Sequence, residues 1–67
     1  MSYDELLDYY RISTEAEIEM AERHWSQKRR SAAQESLRMA YYWLMKCRGE
    51  DLQSLQNRIT NLEKTLY

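Results

Sequence analysis

His24 and Cys47 are the two side chains of this sequence best suited to nucleophilic chemistry. An imidazole beside a thiol can take its proton and leave a reactive thiolate. Each is the single residue of its type, with one His and one Cys in the chain. A dyad of this kind needs a pocket, and nothing around either residue supplies a glycine-rich phosphate loop or a nucleophile elbow. The carboxylates fall at helix-surface spacing, as in the i,i+4 pair Glu19 and Arg23. One His and one Cys cannot close a structural zinc site, which takes four ligands. No catalytic residue, cofactor or metal is therefore expected. His24 is expected at a surface or interface, and Cys47 as a small apolar residue. An enzyme built on these two residues is the most distant reading.

A second kind of chemistry is offered by "RHWSQKRRS", residues 23 to 31. Arg23, Lys28, Arg29 and Arg30 could hold phosphates while Trp25 stacks on a base. The domain as a whole is not basic, with a formal net charge of -1. Trp25 also continues the Ile18–Ala21 stripe, where a tryptophan packs into a core. Nucleic-acid binding is thus the alternative and not the favoured function. Charge is unevenly placed along the chain. Residues 1 to 22 carry Asp4, Glu5, Asp8, Glu15, Glu17, Glu19 and Glu22 against Arg11, a net of -6. Residues 23 to 48 carry Arg23, Lys28, Arg29, Arg30, Arg38, Lys46 and Arg48 against Glu35, a net of +6. Opposite blocks steer antiparallel packing, within one chain or between two.

The third feature is "MAYYWLMKC", residues 39 to 47, in which seven consecutive residues from Met39 to Met45 are apolar or aromatic. Seven residues go fully round a helix, so this segment is apolar on every face and calls for cover on all sides. Ala33, Leu37, Ala40, Leu44 and Cys47 keep a 4-3-4-3 spacing that suits one neighbour within the chain. Met39, Tyr42, Trp43 and Met45 then point elsewhere, and a second copy or another protein is expected to cover them. The alternative is that the first helix wraps back over this face.

The elements that hold these residues are helices. The chain of 67 residues has no proline, one glycine and no phenylalanine. Good helix formers abound, and no segment alternates as a strand would. Ser2 and Glu5 form a capping box at the start, with Tyr3, Leu6, Leu7 and Tyr10 on one face. Thr14 and Glu17 form a second box, which places a break near Ser13 between a short helix at 2–12 and a central region at 14–48. That central region is one long helix or a hairpin turning near 27–30. Gly49 is placed at its end as a left-handed stop, and Asp51 as the cap of a last helix over 51–66. Leu52, Leu55, Ile59, Leu62 and Leu66 make a narrow coiled-coil-like stripe there. The stripe is expected to fold back on residues 33 to 47. A parallel zipper pairing Arg58 with Glu63 is the rival.

Residues 17 to 45 resemble the helix pair of a tetratricopeptide repeat. Ala33, Leu37 and Ala40 match the small-large-small spacing of that family's second helix, and Met20 and Ala21 the apolar-then-small pair of its first. Glu17 stands where a tryptophan is usual and Met45 where a proline is usual. There is no second repeat for the pair to stack on, so the resemblance implies shared hairpin packing and nothing about function.

These readings converge on an all-α chain, residues 1–67 as a single domain, a small bundle of two or three helices completed by self-association. A lone domain of this size buries only about 60% of its unfolded surface, and small folds need a staple or a partner. One cysteine excludes an internal disulfide and fits a reducing compartment. The acidic first 20 residues lack a signal-peptide core, and no apolar run approaches the ~20 residues that span a bilayer. The expectation is a cytoplasmic, non-enzymatic regulatory accessory protein of the kind bacteria and phages carry. It is expected to form a homodimer and to bind another protein, with no membrane contact. The self-association surface is placed at Trp25, Met39, Tyr42, Trp43, Met45, Leu55, Ile59 and Leu62.

Overall fold

The Ser2 hydroxyl accepts the Glu5 backbone N–H at 3.2 Å and starts α1, which runs from Tyr3 to Ser26. The computed structural model describes residues 2–67. The expected break at Ser13 does not occur. Thr14 is fully buried, and its hydroxyl donates to the Tyr10 carbonyl one turn back at 2.8 Å. A hydroxyl satisfied inside the helix has no need of the cap geometry. With neither glycine nor proline nearby, the helix continues for 24 residues, about 36 Å at 1.5 Å per residue. That length sets the long axis of the molecule, 39 Å.

Of the two readings of the central region, the chain takes the hairpin. The Lys28 N–H donates to the Trp25 carbonyl and the Arg29 N–H to the His24 carbonyl, both at 2.9 Å. This is the paired-bond helix ending in which the residue after the cap turns left-handed. Glycine usually fills that place. Here Lys28 does, at φ +61°, which is why no turn signal stood in "SQKRRS". Helix α2 then runs from Arg30 to Leu44, antiparallel to α1. Ala21 of α1 and Ala33, Ser36 and Ala40 of α2 are buried. Small side chains there let the two helices approach closely.

α2 stops at Leu44, four residues short of the expected end. Its last turn tightens: the Lys46 N–H reaches the Trp43 carbonyl and the Cys47 N–H the Leu44 carbonyl, each at 3.0 Å. This keeps Cys47 in the core. Gly49 is left-handed at φ +111°, but it turns the connection and does not end the helix. Helix α3 spans Leu52 to Leu66. Asp51 occupies its cap position without making a side-chain cap bond. α3 lies antiparallel on α2, with the Gln34 amide donating to the Leu66 carbonyl at 2.9 Å. Arg58 reaches Glu22 of α1 at 3.3 Å.

The core is one cluster: Ile18, Ala33, Leu37, Ala40, Leu44, Cys47, Leu55, Ile59 and Leu66, with Tyr10, Trp25, Leu52 and Leu62 packed against it. The fold is a small all-α bundle of three helices. No helix among the described residues is long and apolar enough to cross a membrane.

Candidate interaction surface

The aromatic run divides on folding. Ala40 and Leu44 go into the core, Trp43 is half-buried, and Met39, Tyr41, Tyr42 and Met45 stay exposed. α1 does wrap back in part. The Tyr9 ring meets Trp43 edge-on at 5.6 Å between centroids, and the Tyr10 ring lies 6.2 Å away at a 32° tilt. Tyr42 also meets Trp43, at 5.1 Å and 74°. These are the offset and edge-to-face arrangements that the ring quadrupole favours. The Lys46 ammonium sits 5.1 Å from the Tyr42 ring centre and 5.8 Å from that of Tyr10. It places a cation over two aromatic faces.

Large side chains of the run stay uncovered. Tyr42 is 50% exposed, Met39 41% and Met45 77%. Tyr42 and Met39 lie a quarter-turn or more round α2 from Tyr41, whose hydroxyl donates to the Glu63 carboxylate of α3. Glu63 therefore pairs inside the chain, as does Arg58 with Glu22. The hydrogen bond to Glu63 and partial burial push the Tyr41 phenol up to about 12, because ionising it would place an anion against a carboxylate.

Several residues expected at the self-association surface are placed elsewhere. Leu55 and Ile59 are buried against α2 and α1 and have no surface to offer. The stripe was read correctly as apolar, but the chain itself is the partner. Leu62 and Trp25 are half-buried at the edge of the same core. Of the expected surface, Met39, Tyr42 and Met45 remain exposed, and Tyr9 of α1 is exposed as well. Tyr9 was missed because it falls off the Tyr3–Leu6–Leu7–Tyr10 face, and only the crossing of α1 over Trp43 brings it in.

Arg23, Lys28, Arg29 and Arg30 are all exposed around the α1–α2 turn. Trp25 does not stand free beside them. The Arg30 guanidinium lies 5.3 Å from the centre of its ring and covers one face. Arg29 and Arg30 also sit at the start of α2, where the helix dipole disfavours cations.

His24 and Cys47 are not brought together. The Cys47 thiol is 3.3 Å from the Thr14 hydroxyl and 3.5 Å from the Trp43 carbonyl. His24 lies ten residues further along α1 than Thr14, about 15 Å by helix rise. The His24 Nδ1 is buried without a hydrogen-bond partner. Against protein-family models, curated proteins and solved structures, nothing matches this chain.

Proposed function

We propose that this protein is a non-enzymatic helical interaction module that self-associates and binds another protein. The supporting observation is the exposure of Met39, Tyr42, Met45 and Tyr9, of which Tyr42 and Tyr9 pack on Trp43. Three helices have closed a core, and large apolar side chains are still grouped in water. Scattered exposed apolar residues are ordinary, but a contiguous group on one face marks a contact surface. Methionine and tyrosine suit that role, since one adapts its shape and the other joins a flat apolar ring to a polar tip. Solution mass, followed by light scattering across concentration and salt, tests the reading. A dimer or larger species that persists at high salt supports apolar association. A monomer at every concentration removes the self-associating half of the proposal.

A second reading rests on the four exposed bases gathered at one turn, none of them in an ion pair among the described residues. A dimer would present two such turns to nucleic acid. Binding that weakens steeply with salt and is lost in Arg29→Glu/Arg30→Glu supports it. No binding at low salt removes it.

A further inference from the structure

α1 buries Thr14, Ile18 and Ala21 on its inner side. On the opposite side Tyr9, Ile12, Ala16 and Met20 recur at intervals of three, four and four. All four are exposed, with Ile12 at 56%. A surface helix of a globular protein needs one apolar stripe. α1 has two, and the chain uses the outer one only at its start, where one edge of Tyr9 meets Trp43. The outer stripe is bounded by opposite charges on the same line of the helix: Glu5 four residues before Tyr9, and Arg23 three after Met20. Both are exposed, and neither is in an ion pair among the described residues.

We infer that the outer stripe pairs α1 with α1 of a second copy, antiparallel, about a two-fold axis near residue 14. Glu5 then faces Arg23 of the second copy, and Arg23 faces its Glu5. Ile12 faces Ala16 of the other copy, large against small. Tyr9 faces Glu19 of the other copy, a phenol donor opposite a carboxylate acceptor. A two-fold contact makes every such pair twice. Parallel pairing would set Glu5 against Glu5 and Arg23 against Arg23, and like charges at matched positions repel. The wider charge pattern agrees. Antiparallel α1 helices bring the acidic first turns, Asp4 and Glu5, toward the other copy's basic Lys28–Arg30 turn. From residue 5 to residue 23 the contact runs about 27 Å. The partner is thus a second copy of this chain, and Met39, Tyr42 and Met45 are left for a different protein.

This inference rests on the self-association proposed above, and the variants separate the two. The full-length chain is followed by sedimentation equilibrium, with helicity from circular dichroism as the control for folding. Ile12→Glu puts a charge into both halves of the contact and raises the dissociation constant about a hundredfold or more, with helicity kept because Ile12 lies outside the core. Glu5→Arg alone and Arg23→Glu alone each turn two attractive pairs repulsive and weaken the dimer about tenfold at low salt. The double variant Glu5→Arg/Arg23→Glu restores the pairing in reversed sense and returns to within about threefold of the parent. A dimer that survives Ile12→Glu, or charge swaps that fail to rescue one another, overturns the inference. If Tyr42→Glu then dissociates that dimer, self-association stands on the α2 face instead. A parent chain that stays monomeric at every concentration overturns the inference together with the self-association reading.

Discussion

Lys28 holds a left-handed backbone at φ +61° with no glycine to make it easy. Its side chain is exposed. Its backbone N–H closes one of the two bonds that finish α1. Left-handed backbone costs a residue with a Cβ about 1–2 kcal/mol. Glycine removes that strain but gives back roughly 0.5–1 kcal/mol through the extra freedom of the unfolded chain. Lys28→Gly is therefore expected to be about 0.5–1 kcal/mol more stable than Lys28→Ala, which for a domain of this size separates their Tm values by about 2–8 °C. The lysine charge near the α1 C-terminus is worth about 0.3–1 kcal/mol and is lost in any neutral variant. Lys28→Ala is the right reference for that reason: it loses the charge and keeps the strain. The comparison is thermal unfolding of the two variants by circular dichroism under identical salt. Lys28→Gly should melt above Lys28→Ala by several degrees. Equal melting points would mean that the turn at Lys28 is not left-handed, and the hairpin ending described above would be wrong.

Ile59 is fully buried between α3 and the α1–α2 pair. Ile59→Ala should remove about 2–4 kcal/mol from a total of about 3–10 for a chain of this length, read as a fall in the urea midpoint. Tyr41 should ionise near pH 12, seen as a step at 295 nm that Tyr41→Phe removes and Glu63→Gln shifts down. The fold holds that phenol's proton more tightly than the unfolded chain does. Its contribution is therefore complete below pH 10.0 and is lost as pH rises through about 12. Cys47, 3% exposed, should react with a thiol reagent only as fast as the chain opens, and at the full rate of a free thiol in denaturant. Fast labelling of the native chain would mean that the tight turn after Leu44 is open.

Sequence periodicity carried most of the architecture because the inner stripes are regular. The 4-3-4-3 run from Ala33 to Cys47 and the run from Leu52 to Leu66 both face the core as their spacing required. Local end signals carried less. Thr14 has the composition of a cap and the role of a buried helix residue, since its hydroxyl can bond either a free N–H ahead or a carbonyl behind. Gly49 and Lys28 show the same ambiguity reversed. The glycine marks a bend five residues past the helix end, while the true left-handed ending falls on a lysine that no turn rule selects. The candidate surface was half legible. Met39, Tyr42 and Met45 are exposed where an all-round apolar helix had to exceed its neighbours, whereas Leu55 and Ile59 went inside. Nothing in one chain's periodicity says whether an apolar stripe meets its own chain or another.

The outer face of α1 follows from how three unequal helices share one core. α2 and α3 have 15 residues each and α1 has 24. α2 lies between its partners, antiparallel to both. α1 is covered by α2 along its inner side and touched by α3 through contacts such as Glu22–Arg58. A helix clasped from one side has its other side in water, and selection for solubility alone would fill that side with charge. Asp4, Asp8, Glu19 and Glu22 do flank the line. Between them stand Tyr9, Ile12, Ala16 and Met20, and an isoleucine more than half exposed at the middle of a surface helix gains nothing for the isolated chain. Burial of that line in a dimer would also add apolar surface to a fold whose size leaves it little. The same contact would lock α1 as a single straight rod, the conformation that carries Tyr9 onto Trp43. In this arrangement pairing at α1 would steady the aromatic cluster at α2, so loss of the dimer in Ile12→Glu should also loosen the Tyr9–Trp43 contact, seen as a red shift and quenching of Trp43 fluorescence in a Trp25→Phe background. Unchanged Trp43 emission on dissociation would separate the two surfaces and leave α1 a pairing element only.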